Sequence, residues 1–255
     1  MSRVLWCKIV DKAIQTISWG RNVPLLINDM PKLADIGYMG LELAQTKFDI
    51  PDFEGFLQAV ENSKMQIVGV AGGNIEEKVD MVTRIRSALP GESTPYIYMD
   101  HWDERHQKRF ELKKDALDYS GEIRIAIHPH MFKPVQNAQD LKSVFEQFES
   151  LKFLPDTAHL TVAGEDVVEL VRKYSDRLVG IHLKNWLPAH GRSFQFYSKG
   201  FCGLADENGT VPLNEIIMSI RGRNQGNWII EQDYSANPII SARKSLEWLA
   251  QKLGA

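Results

Sequence analysis

A chain of 255 residues is long enough for one large α/β domain or two small ones. With 44% hydrophobic and 25% charged residues it has an ordinary globular composition, and a net charge of −3 with acids and bases intermixed excludes a basic nucleic-acid footprint. No apolar run approaches the roughly 20 residues that span a bilayer, the opening MSRVLWCKIVDKAIQ has too short an apolar patch for a secretory signal, and Cys7 and Cys202 form no metal or redox spacing, so the expectation is a reduced, cytoplasmic compartment with neither membrane nor nucleic-acid partner.

In chain order, β-rich runs recur with amphipathic stretches between them. The runs are VLWCKIV from Val4, YMGLELA from Tyr38, QIVGVAG from Gln66 and YIYMD from Tyr96. They continue with IRIAIHPH from Ile123, KFLPD from Lys152, LVGIHLKNW from Leu178 and NWIIEQD from Asn227. Among the helical stretches, PDFEGFLQAVENSK offers Asp52 as N-cap and one apolar face of Phe53, Phe56, Leu57 and Val60. EDVVELVRKYSDR sets Val167, Leu170, Val171 and Tyr174 on one side, and VPLNEIIMSIRGR and ISARKSLEWLAQKLG follow the same period.

Eight strands alternating with helices predict a parallel sheet with helical crossovers, and eight strands in about 250 residues fit a (β/α)8 TIM barrel. An open doubly wound sheet would need a glycine-rich phosphate loop after its first strand; DKAIQTISWGRN has none, and VAGGNIEEK reads as a tight turn. No linker, repeat or low-complexity tract divides the chain, so residues 1–255 are expected as a single barrel. The longest irregular stretch, 187–210, follows the seventh run and carries Phe194, Phe196, Tyr197 and Phe201, which predicts an ordered lid over the barrel mouth.

Polar residues collect where the later runs end. The fifth ends in His128-Pro-His130, the sixth in Asp156 with His159 beyond, the seventh in His182-Leu-Lys184, and the eighth in Glu231-Gln-Asp233. Buried in a parallel sheet, such groups are costly unless paired or ligated. Barrel closure brings them to one mouth, where His128, Asp156, His182 and Glu231 form a nitrogen-and-carboxylate set for one divalent ion: Mn, Zn, Co or Fe, with Mg less suited to imidazole. Plainer readings stay open: Asp156 as a loop cap, His128 and His130 as satisfied histidines, and His182 as a core residue. Lys184 as a carboxylate-paired lysine is a further one.

The series DIGYMGLELA, IAIHPH, PDTAHLTVAGED, YSDRLVGIHLKNW, SFQFYSKGF, GTVPLNEII and NWIIEQD resembles the sugar phosphate isomerase/epimerase superfamily, whose members are xylose isomerase-like TIM barrels. The likeness runs from about Asp35 to Ser235 and is best from Ile123 onward. It implies metal binding by Asp156, His182 and Glu231, and places His128 where many relatives have a glutamate ligand. The His-x-His form is closer to the inosose dehydratase branch, and Asn185 stands where many relatives have aspartate.

The resemblance also implies the chemistry. The expected activity is isomerisation or epimerisation of a small keto-sugar, keto-polyol or cyclitol, by proton abstraction α to a carbonyl and a metal-stabilised enediolate. Glu231 would remove the proton, and His130, His159 or Lys184 would return one or protonate a leaving hydroxyl. His128 in place of a glutamate removes one base of a two-base epimerase, so dehydration of an inosose-like substrate is the alternative, and a non-catalytic sugar-binding barrel is a further one. A type IV endonuclease would need more histidine ligands and a basic groove. Glu42, Trp102 and Arg192 are the candidates for substrate contact, with bonding to neighbouring backbone the alternative for Glu42 and an ordinary surface charge the alternative for Arg192. The superfamily's habit of pairing makes a homodimer one possible assembly, the oligomeric state staying open.

Overall fold

The structure is a computed structural model, describing residues 12–89, 94–100, 123–221 and 226–254. Eight strands form one sheet: β1 Lys12–Gln15, β2 Gly40–Leu43, β3 Gln66–Val70, β4 Tyr96–Met99, β5 Ile125–Ile127, β6 Lys152–Phe153, β7 Gly180–Leu183 and β8 Asn227–Ile230. Their order is β6-β5-β4-β3-β2-β1-β8-β7, and every neighbouring pair is parallel. Two parallel bridges, Phe153 with Leu178 and Asp156 with His182, join β6 to β7 and bring the sheet round on itself. The barrel expected from the alternation is present.

The first strand differs from expectation. The run from Val4 lies outside the described residues, and β1 is Lys12–Gln15, within the stretch expected to leave the strand. KAIQ has no β-branched cluster. It is a strand because Ala13 fits the narrow bore while its backbone pairs with both β2 and β8.

Helices pack on the outside of the barrel: α1 Val23–Ile36, α2 Phe53–Asn62, α3 Ile75–Ala88, α4 Ala138–Gln147, α5 Thr157–Ala163, α6 Val167–Lys173, α7 Leu213–Ile220 and α8 Pro238–Leu253. Polar caps start most of them. Asn22, Asp52, Asn137, Asp156, Asp166 and Asn237 each accept from a first-turn N–H, and Asn74 with Glu77 completes a capping box. As predicted, α2 buries Phe53, Phe56, Leu57 and Val60, and α6 buries Val167, Leu170 and Val171.

Strand alternation divides the apolar residues into two cores. Leu41, Ile97, Ile127, Phe153, Ile181 and Ile230 face the helices. Ala13, Val68, Tyr96, Ala126, Leu154, Val179 and Ile229 fill the bore. Tyr96 fits there because residue 69 has no side chain: a Cβ on Gly69 would stand 2.5 Å from the Tyr96 ring. Above this plug the inward positions become polar.

Candidate metal centre

Inward alternation carries each strand from the apolar plug into the mouth: Gln15 follows Ala13, Tyr98 follows Tyr96, His128 follows Ala126, Asp156 follows Leu154, and Glu231 follows Ile229. Gln15, Glu42, His128, Asp156, His159, His182, Lys184 and Glu231 are all buried. His128, Asp156 and His182 each bring one ligand-type atom within 4.8 Å of the others.

Asp156 does both things its sequence context allowed. One carboxylate oxygen, Oδ1, accepts the N–H groups of Ala158 and His159 at 2.8 Å each and so caps α5. The other, Oδ2, is buried without a hydrogen-bond partner; Lys184 Nζ is 3.7 Å away and His159 Nε2 3.9 Å. Burial pushes this carboxyl's pKa up, and the nearby Lys184 charge opposes that push.

His128 is preset for ligation. Its Nδ1 lies 3.0 Å from the Leu154 carbonyl, which can only accept, so Nδ1 carries the hydrogen and Nε2 keeps its lone pair. Burial, with the charge of His182, holds His128 well below the ordinary histidine range and therefore neutral. The Tyr98 ring packs 4.6 Å from the His128 ring and meets His182 edge-on at 5.6 Å.

His182 reaches from β7 across the bore. Its Nε2 lies 2.8 and 3.1 Å from the two Glu42 oxygens, and its Nδ1 is paired with Glu231. Burial would lower this ring's pKa, but the two carboxylates outweigh it and raise it to about 10. Lys184 is likewise surrounded, 2.6 Å from Glu231, 2.5 Å from Asp233 and 4.0 Å over the Phe201 ring. Although burial works against the charge, these carboxylates raise the Lys184 pKa, while Lys184 and His182 hold Glu231 well below the usual carboxylate range despite its burial.

The donors fit a divalent ion. Among the described residues, Glu42, Asp156, Glu231 and Asp233 gather around Lys184 and His182, with the Lys78 charge also acting on Glu42, so the acidic groups of the cluster outnumber its cations. Two imidazoles and a carboxylate with a bare oxygen suit Zn, Mn, Co or Fe. Glu231, the fourth expected ligand, is turned onto His182 and Lys184, so holding an ion would mean exchanging those bonds.

The remaining expected residues divide. His130 and His159 stack with ring centroids 3.7 Å apart, and His159 also packs on Phe201 at 5.0 Å and Tyr197 at 5.8 Å. The stretch after β7 thus reaches the site through Tyr197 and Phe201. It is ordered by a short ribbon, Asn185–Trp186 with Phe201–Cys202, and by two 3-10 turns. Glu42 corrects expectation: it has no exposed surface and is bonded to Gln15, Tyr96 and His182, so its carboxylate meets protein rather than substrate. Arg192 is exposed, its guanidinium 5.8 Å over the Trp186 ring instead of among the site side chains. Trp102 lies outside the described residues.

Gln15, Tyr96 and Tyr98 were not expected at the site, and Asp233 was expected at the mouth only as a strand-end residue without a role. The two tyrosines share one face of YIYMD, a period-two signal legible in the sequence. Gln15 was hidden by the misplaced first strand.

Comparisons agree with this geometry. The inosose dehydratase of Clostridium botulinum (strain Eklund 17B / Type B) is 29% identical over 194 residues, 69% of this chain and 65% of that enzyme. The chain thus spans less than two thirds of the length of this relative. Among solved structures, the probable 3-DHS dehydratase AsbF of Bacillus anthracis superposes with a TM-score of 0.71 at 15% identity, covering 94% of this chain and 98% of that one. The IolI protein, solved with a bound zinc atom, gives 0.69 at 8% identity, covering 96% and 98%. A family profile for the xylose isomerase-like TIM barrel matches residues 88–252, and with the parallel barrel and its polar mouth this shows that the chain belongs to that family.

Proposed function

We propose that the chain is a divalent-metal-dependent enzyme that abstracts a proton α to the carbonyl of a small keto-polyol or cyclitol, and that its reaction is dehydration of an inosose-like substrate. The observation that carries the proposal is the buried Asp156 Oδ2, which has no hydrogen-bond partner and only the Lys184 ammonium 3.7 Å away, beside Nε2 of His128 and beside His182. A buried carboxylate oxygen without a hydrogen bond is expensive unless something binds it. His128, Asp156, His182 and Glu231 would hold the ion, which supplies polarisation of a carbonyl and its neighbouring hydroxyl and so acidifies the intervening C–H.

The chain's own residues supply the proton transfers. His130 Nδ1 is 2.8 Å from the Met131 carbonyl and therefore carries the hydrogen, leaving Nε2 as an acceptor. Burial lowers the His130 pKa, which favours the neutral, basic form at pH 7. This supports His130 as the base and leaves Glu231 to the ion, a reassignment from the role expected for Glu231. Lys184 supplies fixed positive charge opposite the developing enolate. Asp233, whose pKa burial raises to about 6 and whose side chain is 31% exposed, links Lys184 to solvent. The pair can deliver a proton to the departing β-hydroxyl, which leaves as water while the C–H electrons form the double bond.

The lid reading of 187–210 rests on Tyr197 and Phe201 walling His159, and on Phe132 meeting Phe194 and Tyr197 at 5.3 Å each. Isomerisation and epimerisation share the first step and differ in where the second proton goes. Presenting the manganese- or cobalt-loaded protein with a keto-inositol in D2O separates them. Loss of water with growth of an ultraviolet-absorbing unsaturated ketone, abolished in His130→Ala, supports dehydration. Deuterium incorporation into an otherwise isomeric product would move the reading to isomerase or epimerase, and no exchange with any metal would remove the enzyme reading.

A further inference from the structure

Glu42 contributes nothing to the proton transfers above, yet it is among the most enclosed charged groups in the chain, with 0% exposure. It accepts from three directions. Gln15 Nε2 donates at 2.8 Å, the Tyr96 hydroxyl makes a short bond to Oε2, and His182 Nε2 lies 2.8 Å from Oε1. Each donor comes from a different strand: β1, β4 and β7. The carboxylate is therefore fixed by the barrel and not by its own flexibility.

A carboxylate can only accept from an imidazole N–H when ionised, so the Glu42 contact places a hydrogen on His182 Nε2. Nδ1, paired with the Glu231 carboxylate, likewise carries a hydrogen in the metal-free protein, and it is the nitrogen that would be freed for an ion once Glu231 turns away from it. We propose that Glu42 is a positioning residue for the metal centre: it locks the ring of His182 with Nε2–H toward the second strand and presents Nδ1 to the ion. Tyr96 and Gln15 hold Glu42 in turn. This inference rests on the metal-centre reading, and it extends the site to the plug below, because Tyr96 belongs to the apolar layer.

Partners of this kind change metal affinity by roughly 10–100-fold when removed, without touching the ion. The test titrates cobalt into wild type, Glu42→Gln and Tyr96→Phe against a chromophoric chelator. It also records the solvent-exchangeable, hyperfine-shifted N–H protons of the cobalt-loaded protein. The expected result is binding about 10–100-fold weaker in Glu42→Gln and less weakened in Tyr96→Phe, with one N–H resonance lost or shifted while the one assigned to His128 Nδ1–H stays. A merely structural role for Glu42 would lower the melting temperature and leave the surviving resonances alike. Unchanged affinity and unchanged N–H signals in both variants, with Asp156→Ala still losing cobalt, would overturn the role of Glu42 alone. If wild type takes up no cobalt, both this role and the metal centre fall. Should Glu42→Gln not fold, Tyr96→Phe decides by the same two readouts.

Discussion

Two layers of one barrel bore, two residues apart along the same strands, are built on opposite terms. The lower layer, Ala13, Val68, Tyr96, Ala126, Leu154, Val179 and Ile229, is packed and almost wholly apolar. The upper layer, Gln15, Glu42, His128, Asp156, His182 and Glu231, is as deeply buried but carries charge and a carboxylate oxygen without a hydrogen bond. Burial alone therefore does not separate core from site. What separates them is whether each buried group is satisfied by its neighbours: the lower layer asks for nothing further, and the upper one keeps buried polar atoms without a hydrogen bond.

Substitutions should break the two layers differently, and Asp156 gives the largest contrast. Asp156→Asn retains an oxygen to cap α5 but weakens the ligand, so turnover and bound metal should be lost with folding stability nearly intact. Asp156→Ala should lose both, melting lower by an amount corresponding to about 1 kcal/mol for the missing cap. Chemical denaturation alongside metal analysis measures this.

Removing Lys184 probes the charge balance. Lys184→Met leaves Asp233 without its cation and Glu231 with His182 alone, and the chelator-treated protein should lose about 3–5 kcal/mol in urea unfolding. Added divalent metal should recover part of it. In the lower layer, Leu154→Ala should cost about 2–5 kcal/mol through the cavity it leaves, with one metal per chain still retained.

The metal-free protein should also show a pH dependence. His182 has its pKa raised to about 10 by Glu42 and Glu231, above the value of about 6.5 expected for the unfolded chain. Its contribution to metal-free stability is therefore complete below pH ~6.5 and is lost as pH rises toward about 10. Urea midpoints of the chelator-treated protein across that window should fall, and His182→Asn should flatten the trend.

Much of this was legible in the chain because strand alternation and polar strand ends are local signals. The eight-stranded barrel, the caps at Asp52 and Asp156, and the gathering of His128, Asp156, His182 and Lys184 all follow from patterns a few residues long. The misses have a common cause. Lys12–Gln15 reads as a loop because its pairing with two flanking strands is non-local, and that concealed Gln15. Glu42 was placed at the substrate because nothing in GLEL shows that Tyr96, His182 and Gln15 converge on it from three other strands. Arg192 looked like a ligand contact until its stacking on Trp186 was visible.

The account rests on the claim that the upper layer is a metal centre, and metal content tests it most directly. Protein purified without chelators or an affinity tag should carry about one Mn, Zn, Co or Fe per chain by plasma mass spectrometry, and Asp156→Asn should carry almost none. Wild-type protein that holds no metal even after reconstitution, or Asp156→Asn protein that holds as much as wild type, would contradict it.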